Sequence, residues 1–551
     1  MSMADLSIRK VFIANRGEIA ARIERACKKL GLASCTAASE VDKGALFARS
    51  AAEIAILPGA AATDTYLNQE LLIKKAKEHG CDALHPGYGF LSENAEFAAA
   101  VIKAGLVWIG PQPHVIHTLG SKTEARKAVT AKGVPVVEGC EGALSDQEII
   151  KAAEKIGFPV IVKAVGGGGG RGMRIIREKK ELVDQLPLAR AEALKNFKNQ
   201  DVYFERFVEN PRHIEVQIFG DNHGNVVHFG TRECSVQRRH QKLIEEAPAP
   251  RLPEAVREGI HAAAIKAAKS VGYSNAGTVE FILSGDKFFF LEVNTRIQVE
   301  HPVTEEITGV DLVALQIQVA CGAKLQWKQS DIKFSKHAIE FRICAEDVKG
   351  GFLPVIGDIG EILHPTLPSF VRYESGFGAG DIISRFYDSM IAKVIVVGED
   401  REQAISRAKE FLAQYKIKRL LTTIEFHRWV LDDQRFSDST WHIKLVDSEF
   451  KAKNIDDFLA KSIRDPNYKA PVSDAFYVEN FRYYVKNFDY EHQLELIHHR
   501  DGLVIAVPVQ KGVRACESFM RSSNSRVQAM KALIEEVLEK TSPQDIFELH
   551  P

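Results

Sequence analysis

The stretch Glu280–Pro302, E-F-I-L-S-G-D-K-F-F-F-L-E-V-N-T-R-I-Q-V-E-H-P, carries the most information about fold and function. An apolar run that includes Glu280 is followed by the turn S-G-D and by a second apolar run that ends in E-V-N. Two such runs around a short glycine-containing turn predict a β-hairpin. The hairpin would bring together the oxygen donors of Glu280, Glu292 and Asn294, which suit Mg²⁺ bound between the protein and substrate phosphates.

Four polar side chains follow the hairpin within a short span: Arg296, Gln298, Glu300 and His301. Any one of them fits the end of a strand with solvated charges. The complete string does not, because carboxylates beside an apolar hairpin cost free energy on burial unless a cation or another partner pairs with them. The string therefore predicts a functional site.

Length and composition are those of an ordinary globular protein. The 551 residues are enough for two to four domains, 45% of them are hydrophobic and 26% are charged. The net charge of -1 gives no reason to expect nucleic acid or an anionic membrane as a partner. The eight cysteines form no C-x-x-C pair, which favours reduced thiols. With no signal peptide and no run of about 18 apolar residues, we expect a cytoplasmic protein.

The N-terminal sequence predicts a parallel α/β unit. The apolar run Lys10–Ala14 leads through N-R-G-E into a helical pattern at Ile19–Leu30, and a second apolar run begins at Leu32. Because G-x-G-x-x-G is missing, a dinucleotide site is a weak hypothesis. The later turn H-P-G-Y-G-F either separates two elements or lines a site at the carboxyl ends of the strands.

A lysine followed by a run of glycines indicates a phosphate-binding segment. Lys122 lies near the start of a predicted helix, and Lys163 ends the apolar run Phe158–Lys163. Five glycines, Gly166–Gly170, then precede another apolar run, Met173–Ile176. The backbone N–H groups of such a loop can approach an anion closely. A flexible linker is the alternative, but a linker seldom joins two strands. We interpret the segment as a flap over phosphates, although it lacks the G-K-[ST] ending of a P-loop.

Two further segments contribute polar residues. His213–Phe219 alternates polar and apolar residues, which predicts a half-buried strand with His213, Glu215 and Gln217 on one face. Glu233–Lys242 ends in Q-R-R-H-Q-K and is typical of a basic loop. Such a loop is either a charged surface or a means of neutralising phosphates or a small oxyanion.

Together these strings resemble the biotin carboxylases of the ATP-grasp superfamily. The resemblance rests on Lys163 with its glycine flap, Q-R-R-H-Q-K, the E…E-V-N hairpin and R-I-Q-V-E-H-P-V-T-E. N-R-G-E-I-A, H-P-G-Y-G-F-L-S-E-N and A-I-E-F-R-I-C-A-E-D also look like that family, and the likeness covers residues 8–445. It implies an α/β and α+β multidomain fold. The implied parts are a pre-ATP-grasp domain at 1–120, an ATP-grasp domain at 121–330 with a lid near 135–205, a biotin carboxylase C-terminal domain at 331–446 and an α+β extension at 447–551.

The resemblance also implies roles for individual residues. The implied ATP ligands are Lys122, Lys163, Gly169, Gly170, the adenine-edge residues Glu205, Arg206, Phe207 and Val208, and also His213, Gln237 and His240. The implied ligands of Mg²⁺ (or Mn²⁺) are Glu280 and Glu292, with Asn294 nearby. The implied bicarbonate ligands are Lys242, Arg296, Gln298 and the backbone at Val299. Glu300 would be the base that deprotonates bicarbonate, and Arg342 would face the biotin ring.

These residue types suit ATP-dependent carboxylation of biotin. Bicarbonate is a poor nucleophile, so a carboxylate that removes its proton assists attack on the γ-phosphate. Phosphoryl transfer needs positioning and charge neutralisation, which lysines and Mg²⁺ supply. In the family scheme carboxyphosphate then gives CO₂ and phosphate, and the phosphate takes the N1 proton of biotin. Arg296 and Arg342 would stabilise the resulting enolate.

Two strings depart from the family pattern. The usual P-P-Y-Y-D-S-M is S-R-F-Y-D-S-M at Ser384–Met390, and the preceding loop, Gly376–Gly380, is richer in glycine than the pattern predicts. Both lie away from the phosphate and metal strings. We therefore expect them to affect the local loop shape or the contacts to biotin rather than ATP cleavage.

Residues 447–551 extend beyond the matching region. Phe481–Asp489, Gln493–His498 and Leu503–Val507 predict strands, and Ser525–Lys540 predicts an amphipathic helix. Within that helix, A-M-K mimics a biotin-attachment tripeptide, but the family's lysine lies on a β-turn inside a complete biotinyl domain. We therefore expect the biotin carboxyl carrier protein and the carboxyltransferase to be separate subunits. The extension would be a docking module for them or a structural cap.

The resemblance thus implies an enzyme, the homodimeric biotin carboxylase subunit of an acyl-CoA or pyruvate-type carboxylase. The second hypothesis is another bicarbonate-activating ATP-grasp ligase, such as a carbamoyl-phosphate-forming type. The single rather than duplicated core and Arg342 argue against it. The third is a non-catalytic scaffold subunit. Loss of Lys242, Arg296 or Glu300 would favour a scaffold, and none is lost.

Overall fold

The computed structural model describes residues 8–140, 144–164, 173–197, 200–455 and 458, and four strands between 475 and 508. Gly169 and Gly170 of the predicted flap, and the predicted helix Ser525–Lys540, lie outside the described residues. Within those ranges no helix has the length and apolarity needed to cross a membrane.

The first part of the chain is a parallel sheet whose strands alternate with helices. Its strands are β1 (Lys10–Ile13), β2 (Ala33–Ser39), β3 (Ile54–Leu57), β4 (Ala83–His85) and β5 (Val107–Trp108). Its helices are α1 (Gly17–Lys29), α2 (Leu46–Arg49), α3 (Gln69–Glu78), α4 (Ala95–Lys103) and α5 (Pro113–Gly120). The strand order is β3-β2-β1-β4-β5, with every pairing parallel. The predicted βαβ opening is confirmed, because α1 connects β1 to its neighbour β2.

Asn15 joins the two glycine-containing turns at the carboxyl end of this sheet. Its amide nitrogen donates to the carbonyl oxygens of Pro86 (2.7 Å) and Tyr88 (2.8 Å). Between them, Gly87 has a φ of +64°, and a Cβ there would lie 2.9 Å from the Asn15 amide nitrogen. The two turns therefore form one unit at the edge of the sheet where α/β proteins bind ligands.

A small antiparallel sheet follows. Its part of the chain contains α6 (Lys122–Thr130), β6 (Gly139–Cys140), α7 (Asp146–Ile156), β7 (Val160–Ala164), β8 (Met173–Ile176), α8 (Lys179–Phe197) and β9 (Val202–Arg206). The strand order is β6-β9-β7-β8, and we call this the lid sheet. A capping box between Ser145 and Glu148 starts α7 by satisfying backbone N–H groups at its first turn. One face of the lid sheet is covered by apolar residues of α7 and α8.

The largest sheet is antiparallel and contains the predicted hairpin. The strands from here to residue 417 are β10 (Arg212–Gly220), β11 (Val226–Arg238), β12 (Gln241–Ala247), β13 (Asn275–Ser284), β14 (Lys287–Asn294), β15 (His337–Cys344), β16 (Glu346–Asp347), β17 (Leu353–Pro354), β18 (Gly357–Asp358), β19 (Ile362–Leu363), β20 (Val371–Ser375), β21 (Ile382–Ile383), β22 (Met390–Gly398) and β23 (Lys416–Ile417). Eight of them form the central sheet, in the order β14-β13-β10-β11-β12-β15-β22-β20.

Helices pack on this sheet and complete the C-terminal part of the body. They are α9 (Glu254–Ser270), α10 (His301–Thr308), α11 (Leu312–Ala320), α12 (Arg401–Gln414), α13 (Ile424–Asp432), α14 (Gln434–Ser437) and α15 (Leu445–Glu449). Beyond them, the described strands β24 (Ala475–Val478), β25 (Phe481–Phe488), β26 (Gln493–His498) and β27 (Val504–Pro508) pair in sequence order as an antiparallel sheet. The three strands predicted in this extension are confirmed, and β24 was not predicted.

Strand β10 is buried on both faces, so the prediction of a half-buried strand is wrong. Ile214 and Val216 belong to the apolar core that includes residues of α9. On the other face, His213, Glu215 and Gln217 are buried as well. Polar residues can leave water in this way only when partners satisfy them, and β10 has a neighbouring strand on each side.

The prediction of a basic loop at Glu233–Lys242 is also wrong. These residues form the end of β11, a tight turn and the start of β12. Arg239 and His240 make the turn with φ of +47° and +66°. The strand pairing places Gln237 directly opposite Lys242. The segment therefore has a fixed position in the central sheet. Its sequence did not predict two strands, because its charged residues, which are buried or lie at the turn, do not alternate with apolar residues.

Candidate active site

The predicted hairpin pairs the two carboxylates that were predicted to bind metal. Glu280 on β13 lies opposite Glu292 on β14, and Thr278 lies opposite Asn294. The Asn294 amide nitrogen donates to Glu280 Oε1 at 2.9 Å. The side-chain oxygen of Asn294, Oδ1, accepts a hydrogen bond from Arg296 Nη2 at 3.0 Å. The strand register therefore gathers Glu280, Glu292 and Asn294 at one end of the central sheet.

The two carboxylates have opposite pKa shifts. Burial opposes the charged form of Glu280, but Lys242 and His213 outweigh it and hold the pKa of Glu280 well below its usual range. Burial and the charge of Glu280 raise the pKa of Glu292. A divalent cation bound by both would relieve this repulsion, and oxygen donors are what Mg²⁺ prefers. The residues fit Mg²⁺, and metal binding by Glu280, Glu292 and Asn294 stays a prediction. The side-chain oxygen of Asn294 already accepts from Arg296.

Lys242 is the centre of a buried ionic cluster. Its Nζ lies 2.6 Å from Glu215 Oε2, 2.9 Å from Glu280 Oε1 and 2.6 Å from Glu300 Oε1. Burial opposes its charge, but the three carboxylates outweigh burial and raise the pKa of Lys242 well above its usual range. His213 lies beside these residues, with Nε2 3.2 Å from Glu280 Oε2. We call Lys242, Glu215, Glu280 and Glu300 the ionic cluster.

Arg342 connects the ionic cluster to a further glutamate. Its Nε donates to Glu245 Oε1 at 2.6 Å, and its Nη2 donates to Glu300 Oε2 at 3.0 Å. Each oxygen of Glu300 therefore has a cationic partner. Burial opposes the charge on Glu300, but Lys242 and Arg342 outweigh it and lower its pKa, so the carboxylate is ionised at neutral pH. Burial raises the pKa of Glu245 to about 7 in spite of Arg342.

The first sheet supports the loop that carries Arg296 and Val299. Arg296 Nε donates to Glu93 Oε2 at 2.8 Å, and Glu93 belongs to H-P-G-Y-G-F-L-S-E-N. Lys393 Nζ donates to the Val299 carbonyl oxygen at 2.6 Å and pairs with Glu18 of N-R-G-E at 3.0 Å. Both glycine-containing turns are therefore tied to the candidate site, which favours the second of the two interpretations of H-P-G-Y-G-F.

Arg232 was not among the predicted site residues, although its guanidinium is fully buried beside them. It pairs with Glu215 and donates to Gln217 Oε1 at 2.8 Å and Gln298 Oε1 at 2.7 Å. Gln298 in turn donates to Glu280 Oε1 at 2.9 Å. Glu215 and Arg232 are cross-strand neighbours on β10 and β11, so opposite charges at that register were the signal that could have identified Arg232.

Lys163 and the adenine-edge segment belong to the lid sheet. Lys163 pairs with Glu205, which also accepts from Arg126 Nη1 at 2.8 Å. Arg206 Nη2 donates to Glu138 Oε2 at 2.8 Å. Since both side chains of the 205–206 pair have protein partners, contacts of this segment with an adenine would use its main chain.

The other predicted nucleotide ligands lie partly or fully at the surface. Phe207 and Val208 are half-buried, whereas Lys122, the first residue of α6, and His240 are exposed. Burial lowers the pKa of His240, and the charges of nearby Lys122 and Lys163 add to this shift. These basic groups therefore converge.

Gln237 lies deeper. It is buried, and its amide nitrogen is 3.3 Å from His213 Nδ1. Through His213 it reaches Glu280 of the ionic cluster. The predicted nucleotide ligands that the structure describes thus range from the ionic cluster outward to an exposed basic rim.

The arrangement can bind a polyanion with its metal and move a proton. Lys122, Lys163 and His240 offer donors to phosphates, and Glu280 and Glu292 offer oxygens to a divalent cation. Glu300 is an ionised carboxylate and is therefore in the form that can accept a proton, and the cations on both sides can attract a small anionic acid to it.

Models of three protein families match successive parts of the chain. They are the N-terminal domain of biotin carboxylase at residues 7–116, the ATP-binding domain of carbamoyl-phosphate synthase L chain at 121–328 and the C-terminal domain of biotin carboxylase at 340–448. The middle model is named after carbamoyl-phosphate synthase, which is the kind of enzyme that the second hypothesis proposed, but both flanking matches are to biotin carboxylase.

Whole proteins match over the same region. Biotin carboxylase 1 of Bacillus subtilis is 45% identical over 444 residues, which is 80% of this chain and 98% of that protein. A pyruvate carboxylase subunit of Methanothermobacter thermautotrophicus is 46% identical over 83% of this chain and 92% of its own length.

A solved structure agrees with these relatives. The biotin carboxylase domain dimer of Hydrogenobacter thermophilus 2-oxoglutarate carboxylase, in complex with MgADP, ADP and bicarbonate, superposes with a TM-score of 0.75. It is 44% identical and covers 80% of this chain and 97% of that one. The fold class and the resemblance inferred from sequence motifs are confirmed, and the chain belongs to the biotin carboxylase family.

Proposed function

We propose that this chain carboxylates biotin with bicarbonate and Mg-ATP, as the first half-reaction of a biotin-dependent carboxylase. The observation that carries the proposal is the ionic cluster. One lysine contacts a glutamate suited to bind metal, Glu280, and a glutamate suited to be a base, Glu300. Groups for phosphate transfer and for proton removal are therefore adjacent.

The chain's own residues would bind and orient the substrates. Lys122, Lys163 and His240 would hold the ATP phosphates, and the main chain at 205–208 would meet the adenine. Glu280 and Glu292, with Asn294 beside them, would hold Mg²⁺, which supplies charge neutralisation at the phosphates when bound. Arg296, Lys242 and Gln298 would bind bicarbonate together with the Val299 backbone.

Glu300 would remove the bicarbonate proton while a bicarbonate oxygen attacks the γ-phosphorus and the bond to ADP breaks. The products of that step are ADP and carboxyphosphate. Carboxyphosphate would then break down to CO₂ and phosphate, and the phosphate would take the N1 proton of biotin. Arg342, held against Glu300 and Glu245, would stabilise the negative oxygen of the biotin enolate while N1 attacks CO₂. Burial of Glu300 among two cations keeps its proton-accepting oxygen close to the anion site rather than in bulk water.

The partners follow from the same assignment. The relatives include subunits of pyruvate and methylcrotonoyl-CoA carboxylases, so we infer that this chain works with a biotin carboxyl carrier protein and a carboxyltransferase. We also infer a homodimer. Residues 447–551 would be the docking module. Deleting them should abolish co-purification with the partner subunits and leave free-biotin carboxylation unchanged, and unchanged assembly would refute docking.

Release of ADP from Mg-ATP by the purified chain tests the proposed reaction. We expect the rate to require bicarbonate and to rise when free biotin is added. A chain that cleaves ATP with bicarbonate but ignores biotin would be another bicarbonate-activating ligase. A chain with neither ATP cleavage nor a thermal shift with Mg-ATP would be a scaffold.

A further inference from the structure

A second group of ligand-type side chains lies at the amino ends of the strands of the first sheet. Cys35 is on β2, Glu53 directly precedes β3, and His79 directly follows α3. One potential ligand atom of each lies within 4.8 Å of the others. Cys81 lies just before β4, and a hydrogen bond between the two thiols raises the pKa of Cys35 and lowers the pKa of Cys81. One sulfur, one imidazole and one carboxylate therefore meet, with the second sulfur, that of Cys81, beside Cys35. The group lies away from the candidate active site at the carboxyl ends.

The polar members of this group are already oriented toward one another. Glu53 Oε1 lies 2.6 Å from His79 Nδ1, and Glu53 Oε2 accepts from Lys10 Nζ at 2.6 Å. Lys10 Nζ also donates to the His79 carbonyl oxygen at 2.7 Å. Such hydrogen bonds fix the orientation of ligands around metal ions.

The group is open to solvent on one side. The side chains of Glu53 and His79 are 40% and 25% exposed, whereas Cys35 and Cys81 are buried beneath them. A buried free cysteine usually acts as a small apolar residue. Here the Cys35 sulfur instead adjoins a carboxylate and an imidazole that are both partly exposed to water.

We propose that Cys35, Cys81, His79 and Glu53 form a binding site for a thiophilic divalent cation, of which Zn²⁺ is the chemical type. Two sulfurs, one nitrogen and one oxygen are a tetrahedral ligand set that zinc accepts. Binding would release the two thiol protons, and His79 would bind through one ring nitrogen as the neutral imidazole, with its proton on the other. Two thiolates and one carboxylate exceed the charge of the ion by one, and the ammonium group of Lys10 balances that excess.

The site would be structural. Its ligands come from β2, from the entry to β3 and from the connection between α3 and β4, so the ion would cross-link three segments of the first sheet. Glu93, which accepts from Arg296, and Glu18, which pairs with Lys393, lie at the opposite ends of the strands. We therefore expect the ion to raise thermal stability without changing the rate of ATP cleavage.

Cobalt substitution tests the site. Reduced, chelator-treated full-length protein is titrated with Co²⁺ in excess Mg²⁺, which occupies oxygen-donor sites. The wild type should show a thiolate-to-cobalt charge-transfer band that saturates at one ion per chain and disappears on addition of Zn²⁺. Cys35→Ser and Cys81→Ser should lose the band, whereas Cys27→Ser, at a buried cysteine of α1 outside the group, should keep it.

His79→Gln covers the case in which a buried cysteine variant fails to fold, because His79 is partly exposed. The unfolding temperature of this variant should equal that of the metal-free wild type. Its affinity for Co²⁺ should be at least about tenfold weaker than that of the wild type. Absence of the charge-transfer band in the wild type, or an equal band in Cys35→Ser, would overturn the proposal. A count of two fewer free thiols before reduction, with no band afterwards, would mean a disulfide instead and would overturn it as well.

Discussion

The central sheet and the lid sheet each contain a lysine that pairs with a carboxylate group, but the surroundings of the two lysines differ. In the central sheet, the Lys242 side chain is 10% exposed and contacts three glutamates whose side chains are buried. In the lid sheet, the Lys163 side chain is 20% exposed, and its carboxylate partner is Glu205. Five glycines follow Lys163 in the sequence, whereas Lys242 continues into a strand of the central sheet.

The difference indicates that the charged residues of the two sheets have different functions. The charges of the central sheet are assembled before any substrate binds, which is the condition for electrostatic catalysis without reorganisation. Removing one of them should therefore affect both chemistry and stability, because its partners stay buried without a counter-charge. Removing the lid lysine should affect substrate binding and little else.

The largest effect is expected from Glu300→Gln. Loss of the carboxylate removes the base and one partner of Lys242, so bicarbonate-dependent ADP release should fall by about 10²- to 10⁴-fold. The measurement is steady-state ADP release with and without biotin. Glu254→Gln, at an exposed glutamate of α9, is the control and should keep the wild-type rate. A Glu300→Gln rate within a few-fold of wild type would remove Glu300 from the chemistry.

A large decrease in the free energy of unfolding is expected from Arg232→Met. The variant leaves the Glu215 carboxylate buried with one cation fewer, and breaking a buried pair in this way costs about 3–5 kcal/mol. Urea unfolding followed by circular dichroism measures it. Arg257→Met, which removes an exposed pair with Glu254, should change the free energy of unfolding by less than about 1 kcal/mol. Equal midpoints for the two variants would contradict the role given to Arg232.

The stability of the fold is expected to depend on pH through Glu246, on β12 of the central sheet. Hydrogen bonds from His337 and Arg401 outweigh burial and lower the pKa of Glu246 from 4.5 to about 2. A depressed carboxyl pKa stabilises the fold fully above about pH 4.5, and this contribution, about 3 kcal/mol, is lost as the pH falls toward 2.

Urea midpoints at pH 6 and pH 3.5 test this contribution. The gap in stability between the wild type and Glu246→Gln should narrow at the lower pH, because the wild-type carboxylate begins to take up a proton there. Glu258→Gln, at an exposed position of α9, should follow the wild type at both pH values. A gap that stays constant would contradict the inferred pairing of Glu246.

The smallest effect on stability is expected from Lys163→Met in the lid sheet. Loss of this partly exposed pair should cost about 1 kcal/mol or less of unfolding free energy. Mg-ATP should nevertheless bind about tenfold more weakly, since a phosphate ligand is lost. Isothermal titration with Mg-ATP measures the affinity. Lys179→Met, which breaks an exposed pair with Glu154 beside the lid sheet, should bind like the wild type.

Periodicity and turn residues predicted the βαβ opening and the hairpin of β13 and β14, because each is a local pattern in which apolar runs flank a glycine turn. They failed for β10, since alternation shows that one face is polar but not whether water or charged partners satisfy it. For the same reason, the sequence pattern did not identify Arg232 as a residue of the site. Its partners Glu215, Gln217 and Gln298 are distant in sequence, and only the strand register brings them together.

The most direct test of bicarbonate activation at the ionic cluster follows an isotope. Wild-type protein is given Mg-ATP, biotin and bicarbonate labelled with ¹⁸O, and the inorganic phosphate is analysed by mass spectrometry. If bicarbonate attacks the γ-phosphorus, one of its oxygens stays on phosphate when CO₂ leaves, so each phosphate should carry one labelled oxygen. Unlabelled phosphate released together with carboxybiotin would contradict the account, because ATP would then have been cleaved without attack by bicarbonate.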